Sequence, residues 1–485
     1  MPVPLPGNTV NTRRGDQLTV RYDPECVPCS SAPSYTLSLS LSLSHSTPLL
    51  SLTTTAMDTL IEDKDRPQPL LVAFGNPLLD ITAVVKDRSL HDEFQLPVDG
   101  QLEVNAQQRA LFSLVMKKYP VEYTAGGCAL NASRVFGWVL GERHRVVFVG
   151  GIGKDEQAKK LSTIIQDSGV VTRFVDVEDQ PTGMCVALVL GACRCLCADI
   201  GAANVCEPDH VFNSHLLPLL NKAEFVYVEG YFITHSFSTA LQIARFAQKN
   251  KKTFVFNLCG SYVCENHPNE LAELLPYVDI LFGYVEEYKT LDKFVDLERV
   301  STSHMINPNN ISHDVLQVLK AIKGEEKIIK DSSIYISEEL QKVAKLESLK
   351  ISDNHFSHKD SVVANGTTNG LINGVINGHR INFNDSLYNV SGRKQKLVVV
   401  TKGPSPLLYV HNHEVRERPV PPISPKGIVD TTGAGDSFVG GFLAALSTGQ
   451  PIEKCLDCGT WTAQKLLQQK GCTLPSFPAT FLSQN

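Results

Sequence analysis

A run of small residues between Val429 and Phe442 constrains this chain more than any other stretch. The small residues Gly433, Ala434 and Gly435 leave their backbone N–H groups uncovered. After Asp436 the apolar residues recur at the three- and four-residue spacing of a helix. The stretch therefore predicts a tight turn that opens a helix. Because the first turn of a helix carries unpaired N–H donors and partial positive charge, this turn is a candidate anion site.

Asp436 falls within this candidate anion site. A carboxylate beside a bound phosphate can take a proton from a hydroxyl while the surrounding N–H groups hold the phosphoryl group. The alternative is that Asp436 only caps the helix, because aspartate is a common capping residue. The stretch by itself leaves both interpretations open.

The composition indicates an ordinary globular protein and argues against several classes of function. Of 485 residues, 42% are hydrophobic and 20% are charged. The net charge of −6, without a basic stripe, argues against a nucleic-acid surface. No apolar run is long enough to span a bilayer. The 13 cysteines lack the spacing of a complete zinc site and favour reduced thiols in a cytoplasmic protein, with the nucleus as a second compartment.

Short apolar segments alternate with helical segments from Pro69 onward. The segments 70–74, 145–149, 225–228 and 253–257 have the length and composition of buried strands. This alternation predicts an α/β fold with a doubly wound, mostly parallel sheet. We expect one large domain over residues 69–485.

Two segments depart from this alternation. Residues 1–66 are rich in Pro, Ser and Thr and include a Ser-Leu alternation, which predicts a disordered or artefactual extension with Met57 as the working start. Residues 324–392 contain Asn-Gly pairs every four residues, which predicts a low-complexity insert in the form of a surface loop. A regulatory docking segment is the alternative for this insert.

A second glycine turn, between Ala125 and Ala132, also leads into a predicted helix. Together with the run from Asp430 to Asp436, it resembles the two signatures of the ribokinase-like (phosphofructokinase-B type) sugar and nucleoside kinases. The chain has no Walker-type loop, because Lys154 is followed by Asp155 and not by Ser or Thr. The resemblance therefore assigns phosphate binding to the turn before Asp436.

Further stretches are similar to the members of this family that act on adenosine, and the similarity covers about residues 69–475. The resemblance implies a ribokinase-like fold with a small discontinuous β-rich lid near residues 81–105 and 173–200. It also implies ATP-dependent phosphorylation of the adenosine 5′-hydroxyl to AMP, a reaction of purine salvage, with Mg²⁺ as cofactor. Adenosine and ATP would be the partners, without nucleic acid or membrane, and we expect a monomer. The stretches are 75–81, 121–127, 180–183, 202–204, 276–283 and 471–473.

The resemblance also implies roles for individual residues. Asp436 matches the general base, and the turn Gly433–Gly435 matches the anion hole. Asp80 matches the carboxylate that grips the ribose 2′- and 3′-hydroxyls, with a plain turn residue as the alternative. Arg194 matches an arginine that covers the phosphates, with a solvent-exposed strand residue as the alternative. The remaining residues of the implied sugar pocket are Asn76, Gly126, Gly127 and Asn131.

The departures from the family pattern gather on the nucleotide and metal side. Glu287 matches the acid that organises Mg²⁺ through water, but Tyr284 replaces the asparagine of that motif. Pro404 stands where the family often has a polar residue, and Thr460 stands where a histidine is usual. Two hypotheses therefore remain beside the first: a kinase of another nucleoside or sugar, and a pseudokinase that binds nucleoside without turnover.

Overall fold

The computed structural model describes residues 68–143, 145–191, 193–302, 311–327 and 395–484. These residues lie within the unit Pro67–Asn485. The predicted N-terminal extension, and all of the predicted insert except residues 324–327, lie outside the described residues. In the described part of the chain, no helix is both long enough and apolar enough to cross a membrane.

Strands and helices alternate along the described chain, as the sequence pattern predicts. The strands are β1 (Leu71–Phe74), β2 (Leu78–Val84), β3 (Gly100–Glu103), β4 (Val121–Gly126), β5 (Val146–Gly153), β6 (Val171–Val177), β7 (Met184–Leu190), β8 (Cys193–Asp199), β9 (Phe225–Glu229), β10 (Thr253–Asn257), β11 (Ile280–Tyr284), β12 (Leu397–Thr401), β13 (Leu407–His411) and β14 (Glu414–Arg418).

The α-helices cover both faces of the larger sheet and one face of the smaller. They are α1 (Ser89–Glu93), α2 (Ala110–Lys118), α3 (Cys128–Leu140), α4 (Glu156–Ile165), α5 (Pro208–Val211), α6 (Leu217–Lys222), α7 (Gly230–Lys249), α8 (Ser261–Asn266), α9 (Pro268–Leu274), α10 (Val285–Phe294), α11 (Leu297–Thr302), α12 (312–327), α13 (Ala434–Ser447) and α14 (Ile452–Leu466). Short 3₁₀ helices occur at Gly201–Asn204, Leu275–Tyr277, Pro425–Gly427 and Leu482–Gln484.

A nine-stranded sheet runs in the order β14-β13-β12-β11-β10-β9-β1-β5-β6. Every neighbouring pair from β6 to β12 is parallel. At the other edge, β13 pairs antiparallel with β12, and β14 pairs antiparallel with β13. The order reverses around β1, as in doubly wound folds. The prediction of a mostly parallel, doubly wound sheet with a separate β-rich lid is confirmed.

Both faces of this sheet are buried, which explains why its central strands are continuous apolar runs. In β1, Val72 and Phe74 face one core, to which α7, α9, α10 and α12 also contribute. Leu71 and Ala73 face a second core, which includes Phe442 and other residues of α3, α13 and α14. Because α3 and α13 pack on the same face of the sheet, their N-termini can meet at its edge.

A five-stranded sheet in the order β3-β8-β7-β2-β4 forms the lid. Its outer face carries apolar residues such as Ile81 and Leu188, which pack with residues of α1 and α2. By the alternation of a strand, Asp80 points to the opposite, inner face. The lid therefore presents polar side chains on the face away from its own core.

The lid differs from the predicted segments in two strands. Within residues 173–200, β6 pairs with β5 of the large sheet, and only β7 and β8 belong to the lid. The parallel pairing follows from the crossover through α4, which returns the chain to the large sheet. In addition, β4 belongs to the lid because it pairs with β2. The predicted lid segments do not include β4, which directly precedes the second glycine turn.

Candidate active site

The carboxyl ends of the parallel strands β1, β9, β10 and β11 meet the N-termini of α3 and α13. Gly433 precedes α13 with a φ of +72°, a left-handed conformation that favours glycine. Gly435 is exposed, and a Cβ added there would meet no atom within 4 Å. The first N–H groups of a helix have no acceptor within it. Ala434 N–H makes a long hydrogen bond of 3.3 Å to Thr431 O outside the helix, so this open space adjoins donors that a ligand can bind. The turn predicted from sequence thus has the form of an anion site.

Asp436 lies in the first turn of α13 and is 8% exposed. Its Oδ2 accepts a hydrogen bond from Asn131 Nδ2 of α3 at 3.0 Å. Burial raises the pKa of Asp436 to about 6, and hydrogen bonds from Asn131 and Cys128 act in the opposite direction. The carboxylate is therefore linked to a second helix and has a pKa suited to a base near neutral pH.

The second glycine turn makes room for Asp80. A Cβ on Gly126 would lie 2.0 Å from Asp80 Oδ1, so any larger residue would displace that carboxylate. Gly127 follows as the residue before α3. The predicted sugar-pocket residues Gly126, Gly127 and Asn131 therefore lie together with Asp80, between the lid and the large sheet.

Asp80 sits in an electrostatic environment shared with Asp436. Burial raises the pKa of Asp80 to about 7, and the nearby Arg194 opposes this rise. The negative charge of Asp436 raises the pKa of Asp80 further, and the guanidinium of Arg134 lowers it. The two carboxylates are thus close enough to repel each other, and both have pKa values within about one unit of neutral pH.

Glu229, at the end of β9, was missed by the sequence analysis. It is fully buried, its Oε1 accepts from Asn76 N–H at 2.7 Å, and its Oε2 accepts from Ala129 N–H. Burial raises the pKa of Glu229 to about 8. This side chain fixes the predicted pocket residue Asn76 against the start of α3. An acidic residue at the carboxyl end of an apolar strand was the signal that could have found it.

Arg194, predicted to cover phosphates, lies in β8 and forms an ion pair with Asp430. Asp430 also accepts hydrogen bonds from Thr432 N–H at 2.9 Å and from Gly471 N–H at 2.7 Å. Asp430 therefore joins the lid, the turn before α13 and the loop that contains Gly471. Arg194 is neither in open solvent nor directed at the exposed Gly435, but it is held at the base of the same turn.

Buried polar atoms without a partner gather around this ion pair. They are Thr124 Oγ1, Arg194 Nε and Thr432 Oγ1. Thr124 is close, because a Cβ on Gly471 would lie 3.1 Å from Thr124 Oγ1. Buried polar atoms are normally hydrogen-bonded, so a cluster of unpaired ones between lid and turn indicates a site for a polar ligand.

The predicted metal side of the site rests on Glu287 in the first turn of α10. Glu287 Oε2 accepts from Tyr284 N–H at 2.8 Å, burial raises its pKa to about 7, and the charge of Asp436 adds to that rise. Tyr284 is 45% exposed and Pro404 is also exposed. Thr460 is buried and bonds to Leu456 O of its own helix at 2.9 Å. Glu287 alone of these residues is electrostatically coupled to Asp436.

Comparison with known proteins identifies relatives along most of the chain. A sequence model described as pfkB family carbohydrate kinase matches residues 96–324 and 385–480. Adenosine kinase 1 of Arabidopsis thaliana is 27% identical over 409 residues, which cover 84% of this chain and 97% of the plant protein. Adenosine kinase of Saccharomyces cerevisiae is 27% identical over 417 residues, covering 85% of this chain and 98% of the yeast protein.

Solved structures have the same fold. Adenosine kinase of Anopheles gambiae in complex with P1,P4-di(adenosine-5) tetraphosphate superposes with a TM-score of 0.63 at 29% identity, covering 85% of this chain and 100% of that one. Adenosine kinase of Schistosoma mansoni in complex with 2-fluoroadenosine has a TM-score of 0.63 at 23% identity, covering 85% of this chain and 99% of that one. The second likeness supports the fold alone.

Replacing Gly433 by alanine should destabilise the protein by roughly 1–2 kcal/mol, because an L-residue is strained in the left-handed region. The added Cβ would also lie 2.8 Å from Cys472 Sγ. Gly435→Ala is the matched control, because it meets open space and has no left-handed φ. The free energy of unfolding of both variants is measured by chemical denaturation. Equal stability of the two would contradict the proposed strain at Gly433.

Proposed function

This chain belongs to the pfkB family of carbohydrate kinases, and from that membership we propose that it phosphorylates the 5′-hydroxyl of adenosine with ATP to give AMP. The family predicted from the two glycine turns is confirmed by the match over residues 96–324 and 385–480. Adenosine as acceptor is supported by relatives named adenosine kinase in plants and yeast. The observation that carries the proposal is a buried carboxylate, Asp436, at the N-terminus of a helix beside unpaired polar groups.

The acceptor nucleoside would be held by the inner face of the lid and the start of α3. Asp80 offers a carboxylate that can accept from the ribose 2′- and 3′-hydroxyls, and the bare backbone of Gly126 and Gly127 allows a sugar to approach closely. Glu229 supports this pocket by fixing Asn76. Polar groups that converge in a cleft in this way fit a sugar better than an apolar ligand.

Asp436 would remove the proton of the 5′-hydroxyl as that oxygen attacks the γ-phosphorus. The pKa of Asp436, about 6, leaves the carboxylate mostly ionised at pH 7 while keeping it basic enough to accept a proton. The donor N–H of Asn131 holds the carboxylate in one orientation. The proton leaves the hydroxyl for Asp436, and the bond from the γ-phosphorus to ADP breaks as the new P–O bond forms.

The turn from Gly433 to Gly435 would stabilise the charge on the transferring phosphoryl group. Its N–H donors and the partial positive charge of α13 are already oriented, so they cost little reorganisation during the reaction. Arg194 is held by Asp430 at the base of this turn, and its buried Nε, which has no partner, is a donor that a phosphate could use. Closure of the lid would exclude water, which limits hydrolysis of ATP.

We include Mg²⁺ in the proposal as the partner of ATP. Among the described residues there is no group of three or more His, Cys, Asp or Glu side chains that could hold a metal ion. This agrees with the chemistry of Mg²⁺, which keeps most of its waters and needs few protein ligands. Glu287, half-buried and electrostatically coupled to Asp436, would hold one of those waters. When bound to ATP, the ion would supply positive charge to the phosphates.

An acceptor panel tests the proposal. The purified full-length chain is incubated with ATP, Mg²⁺ and adenosine, guanosine, inosine or ribose, and the products are separated by chromatography. We expect AMP from adenosine at a higher kcat/KM than any other product. A preference for ribose or another nucleoside would replace the proposed acceptor. Adenosine binding detected by calorimetry, without formation of AMP, would identify a pseudokinase. The structural reason would be Tyr284, which is exposed and replaces the asparagine of the family's metal motif.

Replacing Asp436 by asparagine should lower kcat by at least about 100-fold, because general-base catalysis contributes roughly 10²–10⁴-fold. Steady-state measurement of ADP release gives kcat and KM. Asp167→Asn is the control and should leave kcat unchanged, because Asp167 is exposed and pairs with Arg143, which lies beyond the C-terminal end of α3, whereas the site lies at its N-terminal end. Unchanged turnover in Asp436→Asn would remove the base assignment.

The pH dependence follows from two carboxyl groups that must be ionised. The pKa of Asp80 is raised to about 7 and that of Asp436 to about 6. Binding and proton removal both need the charged form, so kcat/KM should fall as the pH decreases through 7 and 6. The limiting slope should approach two, since kcat/KM reports the free enzyme. A flat profile between pH 5 and pH 7 would refute this reasoning.

A further inference from the structure

Arg134 is a buried cation that neither the sequence motifs nor the proposed roles account for. It lies on α3 one turn beyond Asn131, is 5% exposed, and has an Nε atom without a hydrogen-bond partner. Arginine is almost never fully buried unless it is paired. Burial lowers its pKa, and the negative charge of Asp80 opposes that effect. Because burying a charged guanidinium is unfavourable, its presence in the site suggests that it has a specific role there.

The first contact of Arg134 fixes the amide of Asn131. Arg134 Nη1 donates to Asn131 Oδ1 at 3.4 Å, and Asn131 Nδ2 donates to Asp436 Oδ2 at 3.0 Å. A guanidinium can only donate, and an ionised carboxylate can only accept. If the amide were reversed, its oxygen would face the carboxylate and its NH₂ would face the guanidinium. The cation and the carboxylate therefore favour the same orientation of the amide, with its donor directed at Asp436.

The second contact of Arg134 holds the loop beneath the glycine turn. Arg134 Nη1 donates to Cys472 O at 2.9 Å. The neighbouring Gly471 N–H is bound to Asp430 at 2.7 Å, so the loop is held from both sides. Gly433 packs directly on Cys472, because a Cβ there would lie 2.8 Å from the sulfur. One guanidinium nitrogen thus connects α3 to the support of the anion site.

We propose that Arg134 is a positioning residue for phosphoryl transfer, which orients Asn131 toward Asp436 and holds the Cys472 loop under the glycine turn. This inference rests on the proposed function and adds to it a residue that does not touch the reacting atoms. Arg134 acts on the base through Asn131, so this part of its effect must vanish when Asn131 is absent, and only the smaller part that passes through the Cys472 loop should persist. That dependence separates a positioning role from general support of the fold.

A double-mutant cycle tests the dependence. Arg134→Met should lower kcat by about 10- to 100-fold, because a small misplacement of catalytic groups has effects of that size. In the Asn131→Ala background, the same change should lower kcat by less than about 3-fold, since the orienting contact is already lost. Arg134→Lys keeps a cation and should retain more kcat than Arg134→Met. Equal effects of Arg134→Met in both backgrounds would overturn the proposal.

Arg145→Met is the matched control. Arg145 is an arginine with 24% of its side chain exposed, and its Nε pairs with Glu142 Oε2 at 3.3 Å. It lies just before β5, at the amino ends of the strands, whereas the site lies at their carboxyl ends. Its replacement should leave kcat unchanged. If Arg134→Met does not fold, as judged by circular dichroism, then Arg134→Lys with and without Asn131→Ala completes the same cycle.

The pKa of the base supplies a measurement that does not need turnover. A reversed amide would direct its oxygen at Asp436 and disfavour the ionised form, so Arg134→Met should raise that pKa. The ¹³C signal of the Asp436 carboxyl, assigned by its absence in Asp436→Asn, is titrated in the wild type, Arg134→Met and Arg145→Met. The titratable groups that are electrostatically coupled to Asp436 are the carboxyl groups of Asp80, Glu229 and Glu287, and Cys128, Tyr227, Cys259 and Cys472, whose raised pKa values keep them neutral while Asp436 titrates.

The two readouts distinguish failure of this inference from failure of the proposed function. A wild type that does not phosphorylate adenosine refutes the proposed function, and the carboxyl titration still decides the role of Arg134. Loss of the positive charge alone would raise the Asp436 pKa whether or not Asn131 is present, so the same titration is repeated in the Asn131→Ala background. An upward shift in Arg134→Met that disappears in that background, and is absent from Arg145→Met, supports the positioning role. An unchanged pKa in Arg134→Met, with only a lower melting temperature, would mean that Arg134 is structural.

Discussion

The hydrogen bond between Asn131 and Asp436 is the contact on which the site depends, because it joins the first turns of the two helices that form it. Both helices pack on the same face of the large sheet, so their partially positive N-termini point into one space. A site for an anion and a sugar can form only where the two turns meet. The lid adds Asp80 and Arg194 from its inner face, and Asp430 ties it to the same turn.

Burial is the second determinant of the chemistry. Asp80, Glu229, Glu287 and Asp436 all have raised pKa values because the cleft removes water from their carboxylates. Each carboxylate would be more stable in solvent, and the fold retains them by supplying specific donors. Glu229 receives two backbone N–H groups, and Asp436 receives an amide oriented by Arg134. The site thus contains carboxyl groups whose ionised form is destabilised by burial and which are held in place by directed hydrogen bonds. Such groups suit proton transfer and the binding of a polar substrate.

Much of the fold could be predicted from local pattern, and the exceptions have a common cause. Strands such as 225–228 and 253–257 were recognisable because both faces of a parallel sheet are buried and the residues are uniformly apolar. The assignment of β6 to the lid was wrong, and the membership of β4 in the lid was missed. Which strands pair with each other depends on the path of the crossover connections and on the neighbouring sheet. The residues of a single strand do not show either of these. The nucleotide side, where Tyr284 and Pro404 depart from the family pattern, stays a prediction.

The sequence by itself determined the glycine turns, the helices that follow them, the family and the candidates Asp436, Asp80 and Asn131, because these depend on residue type and short spacing. Only the tertiary structure decided how these groups are held. Asn131 and Asp436 are 305 positions apart, Arg134 and Cys472 are 338 apart, and Arg194 and Asp430 are 236 apart. Contacts between such distant residues arise when packed helices and sheets bring them together. The residues near each partner in the sequence do not encode such contacts. The sequence could mark Glu229 as an acid at the end of a strand, but its two hydrogen bonds and the role of Arg134 appear only in the folded chain.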